Sequence, residues 1–393
     1  MAAAGGEHSL QVDAKGRMHV CGGCGGGYCR LEALMPRHFG WRRVQGIEGV
    51  KLFKALYYHN LAVSASGQLY AFGCGTFTDG NGDGALPAMG IVRDSGKMLD
   101  ADKGQAAHEV GGFEHETIRS LEGGAFHSVI LTASGRVKTF GAAQLGQLGR
   151  KVEGSVTDGS GLPVDPVARD VEGLDTNDSV AAIGAGFYNT LVACKSGILY
   201  CAGENQNSQC GQASGENANL RIMTKVKELG SEHVVKACGG YCHTLVLTGD
   251  SRVLSLGCNE DGQRGYPSDQ PDAIVSEVAL PTTSRPIDVQ AGANHSIVLM
   301  GNGEVYTFGS NEFGQCGTST ALGGSVTTPT RVELDGVKIV KVSAGYAHSI
   351  VVDEKNKSLA FGQNESGQLG LGAETFEAKA DQVKPVPMQS LPS

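Results

Sequence analysis

One short motif occurs seven times along the chain, and this repetition limits the possible folds more than any other feature of the sequence. Each copy has an anchor residue at the start of a predicted strand, and the anchors are His8, His59, His127, Asn189, His243, His295 and His348. A glycine follows fourteen residues after every anchor, at Gly22, Gly73, Gly141, Gly203, Gly257, Gly309 and Gly362. Neighbouring anchors are 51 to 68 residues apart. A repeat of this size indicates a solenoid, a propeller or a similar array.

The clearest copy, Ala291–Gly317, shows what each unit forms. Its pattern predicts a strand at Ser296–Met300, a glycine turn at Gly301–Gly303 and a second strand at Glu304–Phe308, which together make a β-hairpin. The residue eight positions after each anchor is Gly in five copies, Ser in one and Asn in one, as expected for a tight turn. A single hairpin cannot bury its own apolar face, so the seven units must pack together.

Composition agrees with a fold built from short strands. The chain has 393 residues, of which 59 are glycine and 6% are aromatic. This glycine content is about twice the usual ~7%. We predict an all-β, single-domain protein over residues 1–393, with seven four-stranded units in a closed ring and loop insertions near 75–115 and 150–168. The segment Gln382–Met388 resembles the strand before each hairpin, so we expect the N- and C-terminal strands to meet in one unit and close the ring.

Charge and cysteine content limit the function class. The net charge of −9 argues against general nucleic-acid binding, which favours a basic surface. The sequence has no apolar run near the ~20 residues needed to span a bilayer, and its first residues do not form a signal peptide, so we expect no membrane association. The chain has eleven cysteines, several within predicted strands. We therefore expect reduced thiols and a location in the nucleus or cytoplasm.

Three patterns could suggest a metal ion or an active site. Cys21, Cys24 and Cys29 are too few for a tetrahedral zinc site, and no second pair follows at finger spacing. The run Asp79–Gly84 begins like a calcium loop, but its twelfth position is Gly90 rather than Glu. The anchor histidine recurs in six copies, so we expect it to satisfy buried backbone groups within each unit. We predict no metal, no cofactor and no catalytic residue, since phosphate-loop and nucleophile motifs are also absent.

The repeat resembles that of the regulator of chromosome condensation family, which has the pattern A-G-x-x-H-S, a hairpin, then G-x-N-x-x-G-Q-L-G. The copies that resemble it most are Ala291–Gly317, Ala344–Gly370 and Gly123–Gly149, and the resemblance extends from Ala4 to about Met388. It implies a seven-bladed β-propeller with four-stranded blades.

A narrower resemblance concerns the first insertion. The segment Gly75–Gly82, GTFTDGNG, is similar to the start of the β-wedge in the family's nuclear exchange factors for the small GTPase Ran. This resemblance implies a Ran-like GTPase as partner and guanine nucleotide exchange, without covalent catalysis, as the activity. The candidate partner-binding residues are Phe77, Asp79, Asn81 and Asp83. Acidic residues there would replace the charge of the lost phosphates and stabilise the nucleotide-free GTPase.

Other features favour a different function. Phe126 stands where the exchange factors have an acidic residue, and Cys242 stands where they have a histidine. The basic tail that binds nucleosomes is missing, so the resemblance does not support chromatin binding. The alternative is a non-enzymatic scaffold propeller that binds other proteins in a larger assembly, with 79–83 as a simple turn-forming loop. The family's ultraviolet-sensing members need tryptophan clusters, whereas this chain has one tryptophan, Trp41.

Overall fold

The computed structural model describes residues 1–23, 38–73, 107–152, 156–157, 163–213, 218–267, 273–281, 284–319, 323–372 and 380–391. Its strands form seven antiparallel sheets arranged as the blades of a seven-bladed β-propeller, which confirms the predicted fold class. Apart from strands, the described residues include a one-turn 3-10 helix at Lys227–Leu229. Within these residues no helix is long and apolar enough to cross a bilayer.

The strands follow the chain from the centre of each blade to its outer edge. Blades 1 and 2 contain β1 (Ala2–Ala4), β2 (His8–Val12), β3 (Met18–Gly22), β4 (His38–Arg43), β5 (Leu52–Ala55), β6 (His59–Val63), β7 (Leu69–Gly73) and β8 (His108–Glu109). Blade 3 contains β9 (Ile118–Gly123), β10 (His127–Thr132), β11 (Val137–Ala142) and β13 (Pro163–Asp170), with the short β12 (Val156–Thr157) as a fifth strand. Blade 4 contains β14 (Val180–Ala185), β15 (Asn189–Cys194), β16 (Leu199–Gly203) and β17 (Leu220–Lys225).

The last three blades have the same order. Blade 5 contains β18 (Val234–Gly239), β19 (His243–Thr248), β20 (Val253–Gly257) and β21 (Val275–Glu277). Blade 6 contains β22 (Pro286–Ala291), β23 (His295–Met300), β24 (Val305–Ser310) and β25 (Ser325–Arg331). Blade 7 contains β26 (Ile339–Ala344), β27 (His348–Asp353), β28 (Ser358–Gly362) and β29 (Gln382–Pro387). Each predicted hairpin is therefore the pair of middle strands in a blade.

The glycine fourteen residues after each anchor has a structural cause. In blade 6, Gly309 pairs with the anchor His295 and has a φ of 105°. A Cβ atom at Gly309 would lie 2.4 Å from the carbonyl oxygen of Asn294 and 2.7 Å from the Cα atom of His295. All seven glycines of this set have positive φ. Glycine is needed because the third strand passes too close to the start of the second for any side chain.

Each seam between neighbouring blades has its own hydrophobic cluster. The seam between blades 2 and 3, for example, joins Leu61 and Leu69 to Leu121, Ile130 and Phe140. The seam between blades 7 and 1 is smaller and includes Ala2, Ala4, Ile350 and Val352. Seven such clusters, one per seam, surround the ring. Apolar burial between blades therefore stabilises the closed ring.

The terminal strands close the ring, but the expectation that they share one blade is wrong. Strand β1 is the innermost strand of blade 1, and β29 is the outermost strand of blade 7. The two blades are joined side by side, since the Ala4 amide donates to Ser343 Oγ at 3.0 Å and the Tyr346 amide donates to the Gly5 carbonyl at 3.0 Å. Residues Ala2–Ala4 pair with β2 in full register, so blade 1 needs no strand from the C-terminus.

The anchor histidines join blades rather than satisfy backbone groups within one blade, which corrects the sequence-based expectation. In six blades the histidine Nε2 atom lies 2.6–3.0 Å from a side-chain oxygen of the residue that directly follows the anchor of the next blade. For example, His295 Nε2 contacts Ser349 Oγ at 3.0 Å, and that hydroxyl donates to the Gln315 carbonyl at 2.8 Å. Since the hydroxyl hydrogen is already used, the histidine must be the donor. We call this contact the interblade latch.

Candidate partner-binding face

Two kinds of connection emerge on the same face of the ring, which we call the loop face. They are the turns between first and second strands and the loops between third and fourth strands. The first predicted insertion is the third-to-fourth strand loop of blade 2, between β7 and β8. After it, the Ala107 amide donates to the Gln45 carbonyl at 2.8 Å, and β8 pairs with β7. Strand β7 therefore ends at Gly73 on the loop face.

The predicted partner-binding residues belong to this insertion. Phe77, Asp79, Asn81 and Asp83 lie outside the described residues, as do Cys24 and Cys29. Their assignment as a wedge stays a prediction. The structure describes the strands on either side of the insertion, β7 and β8, which pair through Tyr70 with Glu109 and Ala71 with His108.

Aromatic side chains from the turns between first and second strands converge at the centre of the loop face. The cluster, which we call the aromatic cluster, consists of Tyr57, Tyr58, Phe126, Phe187, Tyr188, Tyr241 and Tyr346. Phe187 lies in the middle, with its ring centroid 4.4 Å from that of Tyr57 and 5.0 Å from that of Tyr241. Phe187 is buried, whereas Tyr241 is 47% and Tyr346 41% exposed. The cluster thus offers aromatic surface to solvent around a buried centre.

Backbone hydrogen bonds between blades hold these turns in place. The amides of Ala125, Phe187, Tyr241 and Ala293, each two residues before an anchor, donate to carbonyls of the following blade at 2.8–3.0 Å. Tyr346 continues the series into blade 1. The aromatic cluster is therefore carried by a rigid inner ring of main chain, which limits the entropy lost when a partner binds.

Sequence reasoning did not identify the aromatic cluster. Its members occupy the two positions before the anchor, which are aromatic in some copies and Gly, Glu, Ala, Cys or Asn in others. No single copy stands out as unusual. A comparison of these two positions across all seven copies could have shown that the aromatic residues would meet at the axis.

Carboxylates lie outside the aromatic cluster in blades 5, 6 and 7. Glu260, Glu312 and Glu365 occupy the same position in three successive loops, and all three are exposed. Each lies two residues after an amide that donates to a turn of the inner ring, as the Ser310 amide does to the Asn294 carbonyl at 2.7 Å. Burial, followed by the proximity of Tyr241, Glu7 and Glu312, raises the pKa of Tyr346. Negative charge therefore lies next to the exposed tyrosines.

The two departures from the exchange-factor pattern both lie on the loop face. Phe126 is buried, and its ring stacks on Tyr58 with a centroid distance of 4.8 Å. Cys242 is paired with Cys258, whose amide donates to the Cys242 carbonyl at 2.9 Å. An apolar ring and a bonded sulfur thus replace the acidic and basic groups. Neither residue can supply a charge to a partner.

Cysteine pairing differs in part from the prediction of reduced thiols. The structure pairs Cys201 with Cys210 and Cys242 with Cys258, with Cα atoms 5.4 and 5.5 Å apart. In blade 4 the anchor Asn189 makes no interblade latch, and its Nδ2 atom lies 3.9 Å from the sulfurs of both Cys201 and Cys210. Cys21, Cys194, Cys238 and Cys316 are unpaired, and burial raises the pKa of the Cys238 thiol to about 12.

The second predicted insertion is the third-to-fourth strand loop of blade 3. Arg150, which follows the GQLG motif, is buried and donates to Asp165 Oδ2 at 2.9 Å and to the Thr139 carbonyl at 3.2 Å. Arg169 also donates to Asp165 Oδ2, at 3.0 Å. These contacts fasten the returning strand β13 to the blade. Arg150 therefore has a structural explanation and is not available to a partner.

The first strands of the blades enclose a small cavity in the central channel. A cavity of about 40 Å³, lined mainly by small residues of the first strands, contains the side chains of Lys54, Glu122 and Lys236. Lys54 Nζ lies 2.7 Å from Glu122 Oε2, and Lys236 is paired with Asp288. Its volume corresponds to a few water molecules. These charges neutralise one another, which indicates a structural role in the channel.

Comparisons with known proteins show what this chain is similar to. The model of the RCC1-like domain family matches residues 77–393. The ultraviolet-B receptor UVR8 of Arabidopsis thaliana is 26% identical over 319 residues, covering 80% of this chain and 65% of UVR8. The protein pim1 of Schizosaccharomyces pombe is 29% identical over 259 residues, covering 61% of this chain and 46% of pim1. The chain thus spans less than two thirds of the length of either relative.

A solved structure supports the fold. Prp20p from Saccharomyces cerevisiae superimposes with a TM-score of 0.70 at 21% identity, covering 87% of this chain and 77% of Prp20p. At this level of identity the similarity establishes the propeller fold and leaves the function open.

Proposed function

Since the chain belongs to the RCC1-like domain family, we propose that it is a guanine nucleotide exchange factor for a Ran-type small GTPase. The observation that supports this proposal is that the sequence inserts residues 74–106 between β7 and β8, and that β7 ends at Gly73 on the loop face, which also carries the aromatic cluster. Prp20p, which is yeast RCC1, has binding properties towards Gsp1p and histones. Relatives such as UVR8 have other roles, so family membership alone does not select this function.

The proposed activity needs binding energy and no bond chemistry. An exchange factor must bind the nucleotide-free GTPase more tightly than the GDP-bound form, because only a difference in affinity shifts the equilibrium. Asp79 and Asp83 would offer carboxylates where the GTPase loses the negative charge of its phosphates. Asn81 would donate a hydrogen bond, and Phe77 would add apolar contact. The closed ring would act as a rigid support for this segment.

The test is the rate of release of a fluorescent GDP analogue from a Ran-type GTPase. We expect the wild-type protein to accelerate release, and the double variant Asp79→Ala, Asn81→Ala to lose most of that acceleration. The matched control is Glu354→Ala, which changes an exposed residue in a hairpin turn on the opposite face. The control should release nucleotide at the wild-type rate.

Two results would argue against this proposal. A correctly folded wild-type protein that leaves the release rate unchanged would rule out exchange for the GTPase tested. Equal acceleration by wild type and the double variant would keep the exchange activity and reject Asp79 and Asn81 as its source.

The alternative function is a scaffold propeller that binds other proteins without promoting exchange. Phe126 favours it, because this buried ring lies where the exchange factors have an acidic residue. A stable complex that is insensitive to the bound nucleotide would support this alternative. In either case we place the protein in the nucleus or cytoplasm, and we do not extend the histone binding of Prp20p to a chain with net charge −9.

A further inference from the structure

The exposed part of the aromatic cluster lies in the half of the loop face that also carries the carboxylates. Tyr241 belongs to blade 5 and Tyr346 to blade 7, and Glu260, Glu312 and Glu365 belong to the loops of blades 5, 6 and 7. In the described loop residues 258–267, 310–319 and 363–372, Arg264 is the one basic residue, and it is 1% exposed. This half of the face therefore combines exposed aromatic rings with three exposed carboxylates, and the arginine in its described loop residues is buried.

We propose that Tyr241, Tyr346 and Glu312 form a subsite for an arginine side chain on an extended basic segment of a partner protein. This inference goes beyond the exchange function, because it holds for any partner that presents such a segment. It also uses residues separate from the insertion at 74–106.

The chemistry of the surface selects arginine. A guanidinium group can stack on an aromatic ring while it donates two parallel hydrogen bonds to a carboxylate, and it is less strongly hydrated than the ammonium group of lysine. The structure already contains a contact between a guanidinium group and a ring, because the guanidinium carbon of Arg264 lies 5.2 Å from the ring centroid of Tyr266. At the proposed subsite, the rings of Tyr241 and Tyr346 would supply the stacking surface and Glu312 the carboxylate.

The charge of the surface disfavours other occupants. Nucleic acids and anionic lipid surfaces carry negative charge and would be repelled by Glu260, Glu312 and Glu365. A second copy of this chain would present the same carboxylates and no exposed arginine in the described loops of these blades, so pairing of two such faces would bring like charges together. A basic protein segment is the occupant whose charge is complementary.

The subsite is also preorganised. The Tyr241 amide donates to the Ala293 carbonyl at 2.8 Å, and the Ala293 amide donates to the Tyr346 carbonyl at 3.0 Å. The two tyrosine turns are thus fixed relative to each other through blade 6. Glu312 follows Asn311, whose side-chain oxygen accepts from the Cys316 amide at 3.0 Å and so defines the loop. Little backbone order has to be gained on binding.

The test uses three short labelled peptides that alternate glycine with arginine, lysine or glutamate, and fluorescence anisotropy as the readout. We expect the arginine peptide to bind more tightly than the lysine peptide, and the glutamate peptide not to bind. Binding should weaken as ionic strength rises. Tyr346→Leu should weaken binding of the arginine peptide by about tenfold, and Glu312→Gln by about threefold.

Matched variants separate this proposal from general attraction between charges. Tyr346→Phe keeps the ring and should bind within about twofold of wild type, and Glu354→Gln removes a charge from the opposite face and should leave affinity unchanged. The proposal is overturned if the arginine peptide does not bind wild type, if arginine and lysine peptides bind equally, or if Tyr346→Leu and Glu312→Gln bind like wild type. Because no GTPase is present, these results are independent of the exchange proposal.

Discussion

His348 in the last blade and Ser9 in the first are joined by a hydrogen bond of 3.0 Å, although 339 residues separate them in the sequence. The Ser9 hydroxyl donates in turn to the Gln368 carbonyl at 2.6 Å. The same interblade latch occurs at five other seams. The ring is therefore closed by the same type of contact that joins these other neighbouring blades. Stability of the ring should therefore respond to any one latch.

Removing one latch should destabilise the protein. His295→Ala deletes the bond to Ser349 and leaves a cavity at a fully buried site, so we expect a loss of about 2–4 kcal/mol in the free energy of unfolding. The measurement is denaturant unfolding. His115→Ala, at an exposed position, is the control and should stay within about 0.5 kcal/mol of wild type. Equal stability of the two variants would contradict a structural role for the latch.

Restoring the missing latch in blade 4 should stabilise the ring. In the substitution Asn189→His, the new ring could donate to Thr244, whose hydroxyl already donates to the Gln209 carbonyl at 2.7 Å. We expect a gain of about 1 kcal/mol, the usual net value of one hydrogen bond. Thr244→Val removes the acceptor and should cancel the gain when combined with Asn189→His. A gain that persists in the double variant would show that another contact is responsible.

The anchor histidines should make the fold sensitive to acid. Burial lowers the pKa of His59, His243, His295 and His348 to about 3 and that of His127 to about 4. In the unfolded chain these groups titrate near ~6.5, so between roughly pH 3 and 6.5 the unfolded state binds more protons. Stability is therefore full above that window and falls as the pH decreases through it.

Each histidine contributes about 1.4 kcal/mol per pH unit within the window. Thermal unfolding should show the summed contribution of these histidines to stability. We expect a Tm that is lower by about 10 °C at about pH 5.5 than at about pH 7.5. His348→Asn, which copies the anchor of blade 4, should show a shallower dependence. A Tm that is constant over this range would mean that these histidines titrate alike in the folded and unfolded chain.

The sequence predicted the local units well because hairpin formation depends on neighbouring residues. The turn eight residues after each anchor and the glycine fourteen residues after it are both fixed by backbone conformation, which is visible in a single repeat. The placement of the termini was wrong because it depends on which strands pair across the ring. The strand Gln382–Pro387 completes blade 7, and Ala2–Ala4 completes blade 1.

The contacts between neighbouring blades could not be predicted from the sequence either. The partner of each anchor histidine lies in the next blade around the ring, which for His348 is blade 1, at a position that is Ser, Thr or Asn in different copies. Phe187 and Tyr57 meet at the axis although their positions differ by 130 in the sequence, and nothing in either copy alone indicates that their side chains point to the same place.

The most direct test of the proposed function compares the affinity of the protein for two forms of the same Ran-type GTPase. Binding to the nucleotide-free and the GDP-bound GTPase can be measured by titration calorimetry. If the loop face and its insertion promote exchange, the nucleotide-free form should bind at least about 100-fold more tightly, because exchange requires this difference. Equal affinity for the two forms would contradict an exchange function.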